Sequence, residues 1–184
     1  MKKIFVLMIV AAVAFCTGCN NKKHQVPTLK APVEGADETD STVYGVCGDG
    51  TSMHSLQLIT DMGDTIEYMM IDADDNESEV AGGLMCGLAV VGKKTADGTI
   101  AEKVINMTSL TGRWTSIDKN FVIEEGGTVV SSIKAETKPW TNWKIFNGKL
   151  LLNKDTFDVV TLGADSLAIE NRNGIFVYKR QLAK

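Results

Sequence analysis

The chain has 184 residues, 44% of them hydrophobic, and a formal net charge of −4 from 19 Lys+Arg against 23 Asp+Glu. That balance excludes a nucleic-acid binder working through a basic face, and the length allows one moderate core or two small ones. Beyond residue 41 the chain has one histidine, His54, and two separated cysteines, Cys47 and Cys86, too few for a four-ligand zinc site.

Residues 1–18 carry the three parts of an export signal: Lys2 and Lys3, an uncharged run over 4–15, and the small pair Thr17-Gly18. As a helix the apolar run would rise about 18 Å, short of the roughly 30 Å hydrocarbon core of a bilayer, so no membrane span is expected here. Gly18-Cys19 resembles the bacterial lipobox, in which the cysteine at the cut site receives a diacylglycerol. This makes Cys19 the expected lipid-bearing first residue of an outer-membrane lipoprotein of the cell envelope. Cys16 is the competing position, but Phe15 before it is bulkier than the Gly or Ala that the cleavage pocket takes. Removing residues 1–18 takes away two of the 19 Lys+Arg and none of the 23 Asp+Glu, which moves the net charge from −4 to −6. Residues 19–41 hold two of the three prolines and no apolar periodicity, as a flexible tether does.

From residue 42 the apolar runs are short, β-branched and broken by Gly, Asn and Asp turns, the pattern of an all-β protein. Strands are expected at 42–47, 54–60, 64–71, 84–94 and 100–107. Residues 42–108 then form a small N-terminal β-barrel of SH3-like or OB-like type. The Gly-rich passage 80–92 lacks the Lys-Ser/Thr ending of a phosphate loop and reads as a sharply coiled strand. Asp72, Asp74 and Asn76 have the first spacings of a calcium loop, but Glu77 stands where the tight turn needs Gly, so 72–79 reads as a solvated acidic loop. Cys47 and Cys86 each sit in apolar, Gly-flanked settings that suit buried free thiols, while export would permit a disulfide between them. Cys47 with His54 is a formal Cys-His pair, but no nucleophile elbow or orienting partner accompanies it, and no catalytic residue is assigned.

Beyond residue 108 strands are expected at 111–118, 120–124, 127–134, 142–146, 149–153, 156–162, 165–171 and 174–180. Asn147-Gly148 and Asn173-Gly174 mark tight hairpins, and Gly126-Gly127 and 163–165 mark two more. Trp140, Trp143 and Phe146 crowd around Lys138-Pro139, either plugging a barrel end or offering aromatic surface to a ligand.

Residues 110–116, Leu-Thr-Gly-Arg-Trp-Thr-Ser, resemble the Gly-x-Trp opening of the lipocalin superfamily, and 109–184 are similar to the lipocalin-like domains of Bacteroides-type lipoproteins. The resemblance implies a small antiparallel meander barrel. In it Gly112 and Trp114 open the first strand, and Arg180 of the last strand covers the Trp114 ring. It also implies a non-catalytic binding or accessory role without a cofactor or metal. The barrel would hold a small apolar molecule, or, with a filled interior, serve as a structural module that contacts an envelope protein or glycan.

Overall fold

The computed structural model describes residues 40–85, 89–95, 98–133 and 136–181. The expected signal at 1–18, Cys19, most of the tether and Cys86 lie outside them. Among the described residues no helix is long and apolar enough to cross a membrane.

The N-terminal half is a six-stranded sheet. Its strands are β1 (Thr42–Cys47), β2 (Ser55–Ile59), β3 (Thr65–Met69), β4 (Glu79–Ala81), β5 (Ala89–Lys94) and β6 (Ala101–Asn106). They lie side by side in the order β3-β2-β1-β5-β6-β4. Met69 at the end of β3 forms a parallel bridge with Ile100 before β6 and donates to the Thr99 carbonyl at 3.0 Å, which brings the β3 margin beside the start of β6. Period-two alternation points Leu56 and Leu58 of β2 inward, where they meet Cys47, Tyr68, Met70 and Val104 in a small core. β4 was not among the expected strands. Its three residues are too few to show alternation, and its parallel pairing with β6 creates it.

The C-terminal half is an eight-stranded, nearly closed antiparallel barrel. Its strands are β7 (Gly112–Thr115), β8 (Asn120–Ile123), β9 (Val129–Ser131), β10 (Trp143–Phe146), β11 (Lys149–Leu152), β12 (Asp155–Leu162), β13 (Ser166–Asn171) and β14 (Gly174–Arg180). The order β10-β11-β12-β13-β14-β7-β8-β9 is a meander in which the last strand returns to the first. A bridge between Thr128 and Asn142 joins the remaining margins, with Trp143 donating to the Gly127 carbonyl at 2.8 Å. Hairpin chemistry sets the register: Asn147 and Gly148 both take positive φ, at 48° and 73°, and Gly126 and Gly127 both take 88°. At 173–174 only Gly174 does, because Arg172 and Asn173 make the turn and Asn173 N–H is held by the Asn171 side chain at 2.8 Å. Inward positions carry Phe121, Trp143, Leu150, Phe157, Ile169 and Tyr178, all buried, so side chains fill the barrel.

One helical turn, α1 (Met107–Leu110), joins the halves where a strand end was expected. Its N-cap Asn106 is fully buried. The Asn106 Oδ1 accepts from Ser109 N–H at 2.9 Å, and its Nδ2 donates to the carbonyls of Gly82 and Gly83 at 3.2 and 2.9 Å. Met107 and Leu110 belong to the core of the second barrel, so a division near residue 108 falls inside an element that both halves share. Across the same joint the Tyr44 hydroxyl donates to the Ile145 carbonyl at 2.7 Å. Asn147 Oδ1 accepts from the Ser41 N–H and hydroxyl at 2.8 and 2.9 Å, so Ser41, expected in the tether, is part of the folded body.

Candidate functional site

Gly112 to Trp114 and the last strand meet at one end of the second barrel. Trp114 is fully buried, and its indole N–H donates to the Leu110 carbonyl at 2.8 Å. Arg180, paired with Trp114 in the β14–β7 ladder, lies over the indole with its guanidinium carbon 4.2 Å from the ring centroid. Its Nε donates to the Ala164 carbonyl at 2.7 Å, one terminal nitrogen to Thr111 at 2.8 Å, and the other to Ser109. A single side chain thus ties the β12–β13 hairpin, the end of α1 and the first strand to the last, while burial lowers its pKa from the ordinary value. Gly112 is required twice. Its φ of +129° favours glycine, and a Cβ there would stand 2.5 Å from an Arg180 nitrogen.

A cleft opens at the other end of the same seam. β7 stops at Thr115, opposite Lys179, whereas β14 begins at Gly174. Ser116 donates to Lys119 and turns the chain into β8, leaving the first half of β14 without a β7 neighbour. The resulting cleft has a volume of about 690 Å³, within the range of small-molecule sites. Its floor is aromatic: Trp140 and Phe157 meet edge to face at 5.8 Å, Phe157 and Phe176 at 6.1 Å, and Phe121 links Trp140 to Tyr178 at 5.1 and 5.0 Å. At the mouth Ile175 is 59%, Val177 60% and Ile117 fully exposed, an apolar grouping that folding alone leaves in water.

Charge sits only on the rim. Lys119 lies 4.1 Å from the Trp140 centroid and is ion-paired with Glu136, whose other oxygen accepts from Ser131 at 2.5 Å. Burial works against ionisation of Glu136, but the hydrogen bonds from Lys119 and Ser131 and the Lys119 charge outweigh it and hold the carboxyl below its ordinary range. Burial, with the charges of Asp118 and Glu136, pushes the Tyr178 phenol up to about 12, so it stays neutral beside the cleft.

The three aromatics named as candidate ligand contacts are not brought together. Trp140 lines the cleft. Trp143 is buried in the barrel with its indole N–H on the Glu124 carbonyl at 2.8 Å. Phe146 lies on the opposite face of β10, half-buried with the Lys144 ammonium 4.7 Å from its ring. The correction follows from strand alternation: positions 143 and 146 differ by an odd number and point to opposite sides. Sequence reasoning missed Phe157, Phe176 and Tyr178 as cleft residues. The signal available was the polar turn Ile117-Asp-Lys-Asn120, which ends β7 early.

Elsewhere the Cys47 thiol is free and buried, donating to Thr51 Oγ1 at 3.2 Å, while His54 is exposed in the turn before β2. The acidic segment satisfies itself: Asp72 accepts from the backbone N–H of Asp74 and Asn76 and from the Asn76 side chain, which lowers its pKa. Among the described residues no group of three His, Cys, Asp or Glu is placed to hold a metal ion.

Compared with protein-family models, with curated proteins and with solved structures, the chain matches none.

Proposed function

We propose that this chain is a lipid-anchored envelope lipoprotein, held by Cys19 to the outer membrane, and that it binds an apolar ligand in the cleft beside β14 without catalysing a reaction on it. The observation that carries the reading is the cleft itself: about 690 Å³ with an aromatic floor and an apolar mouth that includes half-exposed Ile175 and Val177. The filled barrel interior favours this lateral site over a central calyx and leaves room for the second reading, a structural module whose contact is another macromolecule. The export-type start and Gly18-Cys19 support the anchor.

The test is Nile red fluorescence with the full chain. Binding should saturate at one site, and Phe176→Glu, which places a charge on the cleft floor, should weaken it at least about tenfold. Ile59→Glu, on the other half, should leave it unchanged. Equal loss with both variants, or no saturable binding, contradicts the reading. For the anchor, Cys19→Ala should release the protein from the membrane fraction; retention with a labelled fatty acid still attached would rule Cys19 out.

A further inference from the structure

We propose that the occupant of the cleft is an extended stretch of polypeptide, which adds to β14 as a further strand in line with β7. The inference rests on the cleft reading above and assigns its ligand class from the direction of the β14 backbone. Arg180 N–H donates back to Asp165 at 2.7 Å, on the β13 side, and Gln181 N–H donates across to Arg113 at 2.9 Å, on the β7 side. In an antiparallel strand both backbone groups of a residue point the same way, and successive residues alternate. Ile175 and Val177, in phase with Gln181, therefore aim their N–H and C=O groups at the β7 side. β7 has ended there, and among the described residues no strand pairs with them.

An edge of this kind discriminates between ligands. An apolar ligand can rest on the aromatic floor, but a hydrocarbon chain laid along the β14 edge itself would strip water from two donors and two acceptors and offer nothing in return. An extended peptide answers all four groups, because its own backbone repeats at the same spacing. The groove is continuous with the existing β14–β7 ladder: a segment running antiparallel to β14 takes up the pairing where Thr115 leaves it opposite Lys179. Peptide residues opposite Phe176 and Tyr178 turn their side chains toward Trp140 and Phe157 and should be apolar. Those opposite Ile175 and Val177 turn outward, where composition is tolerated. The free stretch from Gly174 to Tyr178 suits a segment of about four to six residues.

The experiment uses the full chain, with residue-resolved amide exchange as readout and the peptide acetyl-Lys-Thr-Val-Thr-Val-Thr-Lys-amide as probe. A second peptide carries methyl groups on the threonine nitrogens, which face β14 when the valines face the cleft floor. The first peptide should slow exchange of the Ile175 and Val177 amides at least about tenfold, and the methylated one should bind at least about tenfold more weakly. Nile red should occupy the cleft without slowing either amide. Val177→Pro supplies an independent check, since it deletes a donor on the free edge and none on the β13 ladder; it too should weaken the first peptide about tenfold. Nile red binding without any peptide-dependent protection overturns the polypeptide assignment and leaves the cleft reading in place. Failure of both ligands to bind overturns both.

Discussion

Trp114 and Arg180 show how much one contact carries at the residue scale. Trp114→Ala removes a fully buried indole and its hydrogen bond, and should cost about 3–5 kcal/mol in denaturant unfolding. Arg180→Ala leaves three carbonyls without their donor as well as the ring without its cation, for about 2–3 kcal/mol. The double variant should lose less than the sum, since both changes remove one shared contact; additive losses would mean that the two residues do not support each other. Gly112→Ala should cost about 1–3 kcal/mol through its backbone angle and by pushing the guanidinium off the ring. The tyrosines give a pH test. All three, Tyr44, Tyr68 and Tyr178, have raised pKa values, with Tyr44 and Tyr178 at about 12 from burial first and then neighbouring carboxylates. Below about pH 10 every phenol is neutral in the folded and unfolded chain, and the contribution to stability is intact. Above it the unfolded chain ionises first, so stability falls until about pH 12, where Tyr44 and Tyr178 of the folded protein ionise too. Phenolate absorbance should therefore lag well behind that of free tyrosine; a full rise centred near pH 10 in the folded protein would contradict the burial described.

At the scale of elements, the strands were legible because their signals are local. The alternation in β13, Leu167 and Ile169 inside, and the Asn147-Gly148 turn are written in consecutive residues, and the structure keeps both. The pairing of Trp114 with Arg180 was legible through the resemblance, which supplies what spacing alone does not. Two things were hidden. β4 exists only because a distant strand, β6, offers it hydrogen bonds. The cleft exists only because β14 outruns β7 by several residues, a relation between strands far apart in sequence. Asn106 was equally hidden: an Asn at the end of an apolar strand gives no sign that it will be fully buried, capping α1 and holding the Gly82 and Gly83 carbonyls. Asn106→Ala removes the cap, leaves the Gly83 carbonyl unmet and leaves Gly82 with the Ser109 hydroxyl alone, so it should cost about 2–4 kcal/mol and should speed amide exchange in β4 before any other strand. Uniformly faster exchange across the barrel would show that Asn106 does not act at this joint.

The two halves, expected as separate small barrels, are held together by α1, by Tyr44 on the Ile145 carbonyl and by Ser41 and Thr42 around Asn147. Thermal unfolding should accordingly be a single transition for the pair, with coincident near- and far-ultraviolet signals; two separated transitions would mean that the joint is energetically minor. The whole-molecule account turns on where the ligand goes: beside the barrel, against Trp140, and not among the side chains that fill it. Quenching of intrinsic fluorescence by a brominated alkanol tests this most directly. Bromine quenches an indole only on contact, and of the three tryptophans Trp114 and Trp143 are sealed in the core while Trp140 lines the cleft. The account predicts saturable quenching that disappears in Trp140→Phe and persists in Trp143→Phe. Quenching that survives Trp140→Phe and disappears with Trp143→Phe would place the ligand inside the barrel and contradict it.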